Sequence, residues 1–274
     1  MDNKELFSRR SLDYSLCRPS YPVAAAEWLR RKVSGDTVLD VGAGTGIFTK
    51  VLLPFFAQVS AIEPNKDMRE EFYNFLPGIP CSGASGEDTQ MTEKSIDLIT
   101  VAQAFHWLNE ELFRKEAKRI LKDDGQVAVI WNTSIRTSFA EARNEVCRKY
   151  CSRFLSGHAG KRSTGEGDVF LRESGYFQRV EVKNFPNDFI MDKRVFEGNM
   201  RSRSYAPHPG EKGYELFMKE LGEVFEQFAI NGVVVDKMET QIYLGSFKNL
   251  YRSTPVRIFL LVFSFQNCIL LHMV

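Results

Sequence analysis

The residues best suited to chemistry lie in one stretch, Asp40-Val41-Gly42-Ala43-Gly44-Thr45-Gly46. Closely spaced glycines let a backbone turn tightly and approach a ligand without side-chain collision. A helix beginning behind such a loop also offers unpaired N–H groups. Two ligand classes use this arrangement: a pyrophosphate-bridged dinucleotide, and a nucleoside joined to an amino acid. The dinucleotide spacing is G-x-G-x-x-G. This loop instead reads G-x-G-x-G, with an acid two positions before its first glycine. A carboxylate there repels pyrophosphate and suits an ammonium group, directly or through water. Glu63, after the next apolar run, is placed to accept ribose hydroxyl protons in either class. The spacing and Asp40 favour the nucleoside–amino acid conjugate.

These residues need a scaffold, and the flanking pattern supplies one. Thr37 to Val41 is short, β-branched and apolar, as expected of a strand buried on both faces. Ile47 to Leu53 reads as a helix stopped by Pro54, and Gln58 to Ile62 as a second strand. Asn65 caps a helix through Met68, Phe72 and Phe75, closed at Pro77-Gly78. A weak strand falls near 80–84, and Ile96 to Ala102 is the clearest strand of the chain. Asn109 opens a helix with acids at its start and bases at its end, which complements the helix dipole. Asp124-Gly125 then turns into a strand from Gln126 to Trp131.

Strands alternating with helices imply right-handed crossovers and a doubly wound, mostly parallel sheet. Ligands of such sheets bind beyond the carboxyl ends of the strands. The second half predicts a helix over 139–155, a loop over 157–167 and a half-exposed strand over 177–185. A helical insertion of about 193–228 precedes a strand over 233–244. The late strands suit an antiparallel hairpin at the sheet edge.

With these motifs in order, the chain resembles the class I S-adenosylmethionine-dependent methyltransferases of the type 11 group. VLDVGAGTG is similar to the first motif and IEPNKDM to the second, with Glu63 in the ribose position. SGASGEDTQM is similar to the adenine-proximal third motif, with Glu87 on its acidic position. IDLITVAQAFHWLN is similar to the segment after the fourth strand. The resemblance spans about residues 12–246. It implies a Rossmann-like α/β fold with a seven-stranded sheet, and S-adenosyl-L-methionine as cofactor. The residues implied to hold that cofactor are Asp40, Gly42, Ala43, Gly44, Thr45, Gly46, Glu63, Glu87, Ala102 and Gln103.

Three further segments resemble a subgroup that includes fungal trans-aconitate methyltransferase: Y-x-x-x-R-P-x-Y-P from Tyr14 to Pro22, AQAFHW from Ala102 to Trp107, and SRSYAP from Ser202 to Pro207. The resemblance implies methylation of a small molecule, with a carboxylate as one acceptor class. Tyr14, Arg18, Tyr21, Phe105 and Trp107 are the candidate acceptor-binding residues. Arg18 either forks onto an acceptor carboxylate or ties down the N-terminal segment. Phe105 and Trp107 either wall the acceptor and favour a sulfonium through their ring faces, or anchor the next helix. His106 is a base of near-neutral pKa, an orienting donor or a packed core residue. The alternatives to this reading are a cofactor-binding scaffold without activity and a nicotinamide-dependent oxidoreductase.

Composition narrows the rest. Lys plus Arg number 36 against 35 Asp plus Glu, so no net field favours nucleic acid. Five scattered cysteines read as thiols of a reducing compartment. No His/Asp/Glu cluster with ligand spacing points to a metal. The polar opening MDNKELFSRRSLDYS lacks an apolar run, which sets a cytoplasmic expectation. The methyltransferase domain is expected over 1–246, followed by an apolar tail over 247–274. From Val256 to Val274, 14 of 19 residues are apolar. That tail is read as an atypical terminus ahead of a packed element or a membrane anchor, because polar residues interrupt it.

Overall fold

The computed structural model describes residues 17–155 and 166–247, so Tyr14 and the segment 248–274 lie outside the described residues. The first half alternates strand and helix in chain order. These are α1 (Val23–Lys32), β1 (Thr37–Val41), α2 (Ile47–Leu52), β2 (Gln58–Ile62), α3 (Lys66–Phe75), β3 (Cys81–Ser82), β4 (Ile96–Ala102), α4 (Glu110–Ile120) and β5 (Leu121–Ser134). A single 3₁₀ turn, Phe105–Trp107, follows β4. The second half contributes α5 (Ser138–Tyr150), α6 (Ser152–Leu155), α7 (Glu166–Glu173), β6 (Arg179–Pro186), β7 (Phe189–Met191), α8 (Lys193–Arg201), α9 (Tyr214–Phe228), β8 (Val234–Asp236) and β9 (Met238–Ser246).

Seven strands form one sheet in the order β3-β2-β1-β4-β5-β9-β6. The first five run parallel, and β9 lies antiparallel to both β5 and β6. The doubly wound, mostly parallel sheet with an antiparallel pair at its edge is therefore the observed fold. Strand order reverses between β1 and β4, the position where open α/β sheets bind ligands. The glycine loop leaves β1 and the 103–107 segment leaves β4, so both border that crevice.

Alternate residues of the buried strands feed two cores. Leu39 and Val41 pack on one face with Ile99, Phe105 and Phe113. Val38 and Leu98 pack on the other with Leu29, Phe48 and Leu52. A third core, under the insertion, unites Phe139 and Cys147 of α5 with Phe196 of α8 and Phe217 of α9. The side-chain caps follow the sequence: Asn65 Oδ1 accepts from Met68 N at 3.0 Å, and Asn109 Oδ1 from Leu112 N at 3.1 Å.

Three boundaries differ from the sequence reading. β5 runs on through Asn132, Thr133 and Ser134, because these polar residues pair with β9 as far as Met238. The predicted helix over 139–155 breaks at Cys151, whose backbone is extended (φ −109°, ψ 91°). The predicted strand over 233–244 divides at Lys237. Its first part, β8, joins β7 in a separate two-stranded sheet that periodicity alone did not reveal. The loop expected over 157–167 falls mostly outside the described residues.

Candidate active site

β1 ends at Val41, and the chain turns through Gly42 (φ +67°) and Gly44 (φ +58°), in the left-handed region that glycine tolerates. The turn is stitched to the neighbouring strand: Gly42 N and Ala43 N both donate to the Ile62 carbonyl, at 2.9 and 3.1 Å. Glu63 follows directly. Its Oε2 accepts from Gly44 N at 2.9 Å and its Oε1 from Asn65 N at 2.8 Å. Glu63 is 8% exposed, and burial raises its pKa, opposed by those two backbone N–H groups and by Arg69. One carboxylate thus braces both the loop and the start of α3, with oxygen lone pairs left for further donors.

Asp40 is buried beneath the loop. Its Oδ2 accepts from Thr49 Oγ1 at 2.6 Å and its Oδ1 from Thr100 Oγ1 at 2.7 Å. Burial pushes its pKa up to about 6, partly offset by the two hydroxyl donors, while the charge of Glu63 adds to the rise.

A cavity of about 410 Å³ opens beside the loop. Of the residues singled out in the sequence, Arg18, Tyr21, Asp40, Gly42, Ala43, Ala102, Gln103, His106 and Trp107 line it. Gly44, Thr45, Gly46, Glu63, Glu87 and Phe105 are not in its wall. Gly46 serves packing instead: a side chain there would meet Leu76 Cδ1 at 2.8 Å and Phe72 at 2.9 Å. Glu87 Oε1 accepts from Asn109 N at 2.8 Å, supporting the start of α4.

Phe105 corrects the expectation of an acceptor wall. It is 1% exposed and packs edge-on against Phe113, Trp131 and Tyr176. Its apolar ring belongs to the core, so of the two aromatics only Trp107 faces the cavity. His106 corrects the expectation of a near-neutral base. Desolvation lowers its pKa to about 4, so the imidazole is uncharged at neutral pH.

The far wall was not legible as a site. It comes from the end of β5 (Trp131 to Ser134), from Arg143 and Asn144 of α5, and from Arg203, Ser204 and Tyr205 after α8. Arg18 Nη2 donates to the Ser202 carbonyl at 2.9 Å, and Asn199 Nδ2 donates to the Cys17 carbonyl at 2.8 Å. Arg203 Nη2 donates to Asn199 Oδ1 at 3.0 Å. The segment carrying Arg18 and the end of α8 therefore form one clasp. Arg143 makes a buried ion pair with Asp236, whose carboxylate also accepts from Ser134 Oγ at 2.8 Å. The only sequence signal for this wall was the SRSYAP stretch, which contains Arg203 and Tyr205.

Comparison with known proteins bears on what such a site does. Residues 39–129 match the methyltransferase domain family, and this match begins in β1 and ends in β5. An uncharacterized methyltransferase-like protein of Schizosaccharomyces pombe is 31% identical over 220 residues, covering 77% of this chain and 82% of the relative. The chain belongs to the class I S-adenosylmethionine-dependent methyltransferases of the type 11 group. A second relative of this methyltransferase, an uncharacterized methyltransferase of Mycobacterium bovis, is 34% identical over 120 residues, covering 44% of this chain and 49% of the relative. Among solved structures, a candidate type II methyltransferase from Anaeromyxobacter dehalogenans aligns with a TM-score of 0.57 at 21% identity. It covers 83% of this chain and 95% of that one, which supports the fold.

Membership in the family implies that this methyltransferase binds S-adenosylmethionine. The donor set fits that ligand: a tight glycine turn, two of whose residues line the cavity, and a carboxylate at the end of β2 with lone pairs to spare. Among the described residues, no helix is long and apolar enough to cross a membrane. No group of three or more His, Cys, Asp or Glu there is placed to hold a metal ion.

Proposed function

We propose that this methyltransferase transfers a methyl group to a carboxylate oxygen of a small organic acid, giving a methyl ester. The observation that carries the reading is one cavity bordered by the glycine turn at one end and by Arg18, Arg203 and Trp107 at the other. S-adenosylmethionine, when bound, supplies a methyl group already activated on a sulfonium. The chain's task is then alignment and exclusion of water.

Glu63 would receive the ribose hydroxyls on its remaining lone pairs, and the stretch carrying Glu87 would take the adenosine. Gly42 and Ala43 let the methionine end approach the backbone. Asp40 lies below it as a buried negative charge for the ammonium group. Gln103, held in a left-handed conformation (φ +56°) by its N–H to the Ile130 carbonyl at 2.9 Å, turns the chain so that His106 and Trp107 face the reacting centre. Trp107 would offer the sulfonium an aromatic partner. Arg18 and Arg203 supply the positive field that draws in an anion.

A carboxylate is ionised at neutral pH and needs no base. This agrees with an imidazole at His106 that is held neutral; its role is to orient the acceptor. The acceptor chemistry is tested by incubating the purified chain with methyl-labelled S-adenosylmethionine and a panel of small carboxylic, hydroxyl and amino compounds. Label should appear in products of the acids. Label only in the alcohols or amines contradicts the proposal, and no label in any compound favours a scaffold.

A further inference from the structure

Three uncharged residues that line the cavity each carry a buried polar atom with no hydrogen-bond partner among the described residues: Trp131 Nε1, Thr133 Oγ1 and His106 Nδ1. Folded proteins pair nearly all such groups, and a buried donor left alone carries a desolvation penalty. Trp131 is especially clear. It is 2% exposed, and its ring is fixed edge-on against Phe105 and Tyr243. The indole N–H therefore cannot swing away to find a partner.

Residues 131 and 133 share one face of β5, since strand side chains alternate. His106 reaches the same cavity from the 3₁₀ turn after the adjacent strand β4. An indole N–H can only donate, whereas a threonine hydroxyl and a neutral imidazole adapt to either sense. The partner common to all three is an oxygen that accepts hydrogen bonds.

We infer that Trp131, Thr133 and His106 form a neutral oxyanion-reading subsite that receives an oxygen of the acceptor's carboxylate. The inference rests on the carboxylate reading above and assigns that reading its contact residues. The chemistry favours neutral donors here. Esterification removes the negative charge, so an arginine clamped on the reacting group would lower its nucleophilicity and lose its counter-ion in the product. An indole N–H and a hydroxyl hold the second oxygen of the group while leaving the attacking oxygen electron-rich. Arg18 and Arg203 then act on the approach of the anion rather than on the reacting atoms.

The test uses the full chain with ¹⁵N-labelled tryptophan, saturated with S-adenosylhomocysteine. The sequence has three tryptophans, Trp28, Trp107 and Trp131, and hence three indole resonances, with Trp131 assigned by Trp131→Phe. Sodium acetate, titrated against sodium chloride at equal ionic strength, should move the Trp131 indole proton downfield and saturably. Trp28, in the opposite core, should not respond. Thr133→Val should weaken the acetate response about tenfold, the loss of one hydrogen bond to a charged group. The same variant should raise Tm of the ligand-free protein by about 2–4 °C, because a hydroxyl without a partner is replaced by a methyl of similar shape.

No saturable shift at Trp131 overturns the inference, as does a Thr133→Val variant that lowers Tm, since that would reveal a structural bond. Acetate binding at Trp131 in a protein that esterifies none of the acids would leave the subsite standing and remove the esterification proposal. Esterification with a silent Trp131 would do the reverse.

Discussion

The two ends of the cavity are built on opposite plans. The glycine end is local: Asp40, Gly42 and Ala43 line it, and Gly44 and Glu63 brace it from behind, all of them at the ends of two adjacent strands. Its hydrogen bonds are mostly backbone to backbone or backbone to carboxylate. The arginine end is assembled from segments near residues 18, 106, 131, 143 and 203, joined by side-chain bonds across the chain. A local plan fixes one ligand with little freedom. A distributed plan allows the acceptor to change by substitution in a loop or insertion while the sheet stays intact. This is the division expected when function lives in segments carried on a rigid scaffold.

That contrast is breakable at each end. The largest effect should come from Gly44→Asp. It places a side chain at φ +58° and sets a carboxylate beside Glu63. Affinity for S-adenosylhomocysteine should fall more than about 100-fold, from backbone strain and like-charge repulsion together, as read by titration calorimetry. A value unchanged from the parent chain would show that the turn does not carry the cofactor.

Next is the support beneath the arginine end. Arg143→Met removes the counter-ion of Asp236, which is 1% exposed, and should cost about 3–5 kcal/mol of unfolding free energy in urea. A loss under about 1 kcal/mol would mean that Ser134 alone satisfies the carboxylate.

Arg203→Gln should sharpen the distinction between the ends. KM for an acid acceptor should rise roughly 10-fold, as expected when a charge that draws in the anion is lost, with S-adenosylhomocysteine affinity unchanged. Equal losses in both constants would join the two ends into one.

The smallest effect is a pair of opposed slopes. His106 in the folded chain refuses a proton until about pH 4, whereas the unfolded residue takes one near 6.5. Its contribution to stability is present above pH 6.5 and is lost as pH falls toward 4. Asp40 behaves inversely, with about 6 folded against 3.8 unfolded. Its contribution is present below pH 3.8 and is lost as pH rises through 6. Between pH 4 and 6 the two offset each other. His106→Gln should therefore make stability fall more steeply with rising pH, and Asp40→Asn should make it rise, in denaturant titrations across that window. Parallel profiles for both variants would contradict the assignment.

The same contrast explains what could be read before any coordinates. The glycine turn, Glu63 and the strands around them were legible because their roles follow from contiguous residues. Asn65 and Asn109 announced their helices for the same reason. Thr49 and Thr100 gave no signal, since nothing in one dimension places their hydroxyls on Asp40. Arg143 looked like one more charge on an amphipathic helix, and only the path of β8 brings Asp236 to it. Asn132 to Ser134 were hidden by polarity, because an apolar run marks the middle of a strand and not its working end. Phe105 and Trp107 share a motif, but a 3₁₀ turn sends one ring into the core and the other to the cavity.

The central claim is that the methyl donor sits on the glycine turn, with its ribose reaching to Glu63 behind the cavity wall, and that the acceptor occupies the cavity beside Arg203. A crystal structure of the protein with S-adenosylhomocysteine tests it most directly. The ribose hydroxyls should lie at hydrogen-bond distance, about 2.5–3.0 Å, from the Glu63 carboxylate. The sulfur should point between His106 and Trp107, with the space before Trp131 and Arg203 left to the acceptor. Adenosine seated against Arg203, or a ribose that does not touch Glu63, would contradict the account.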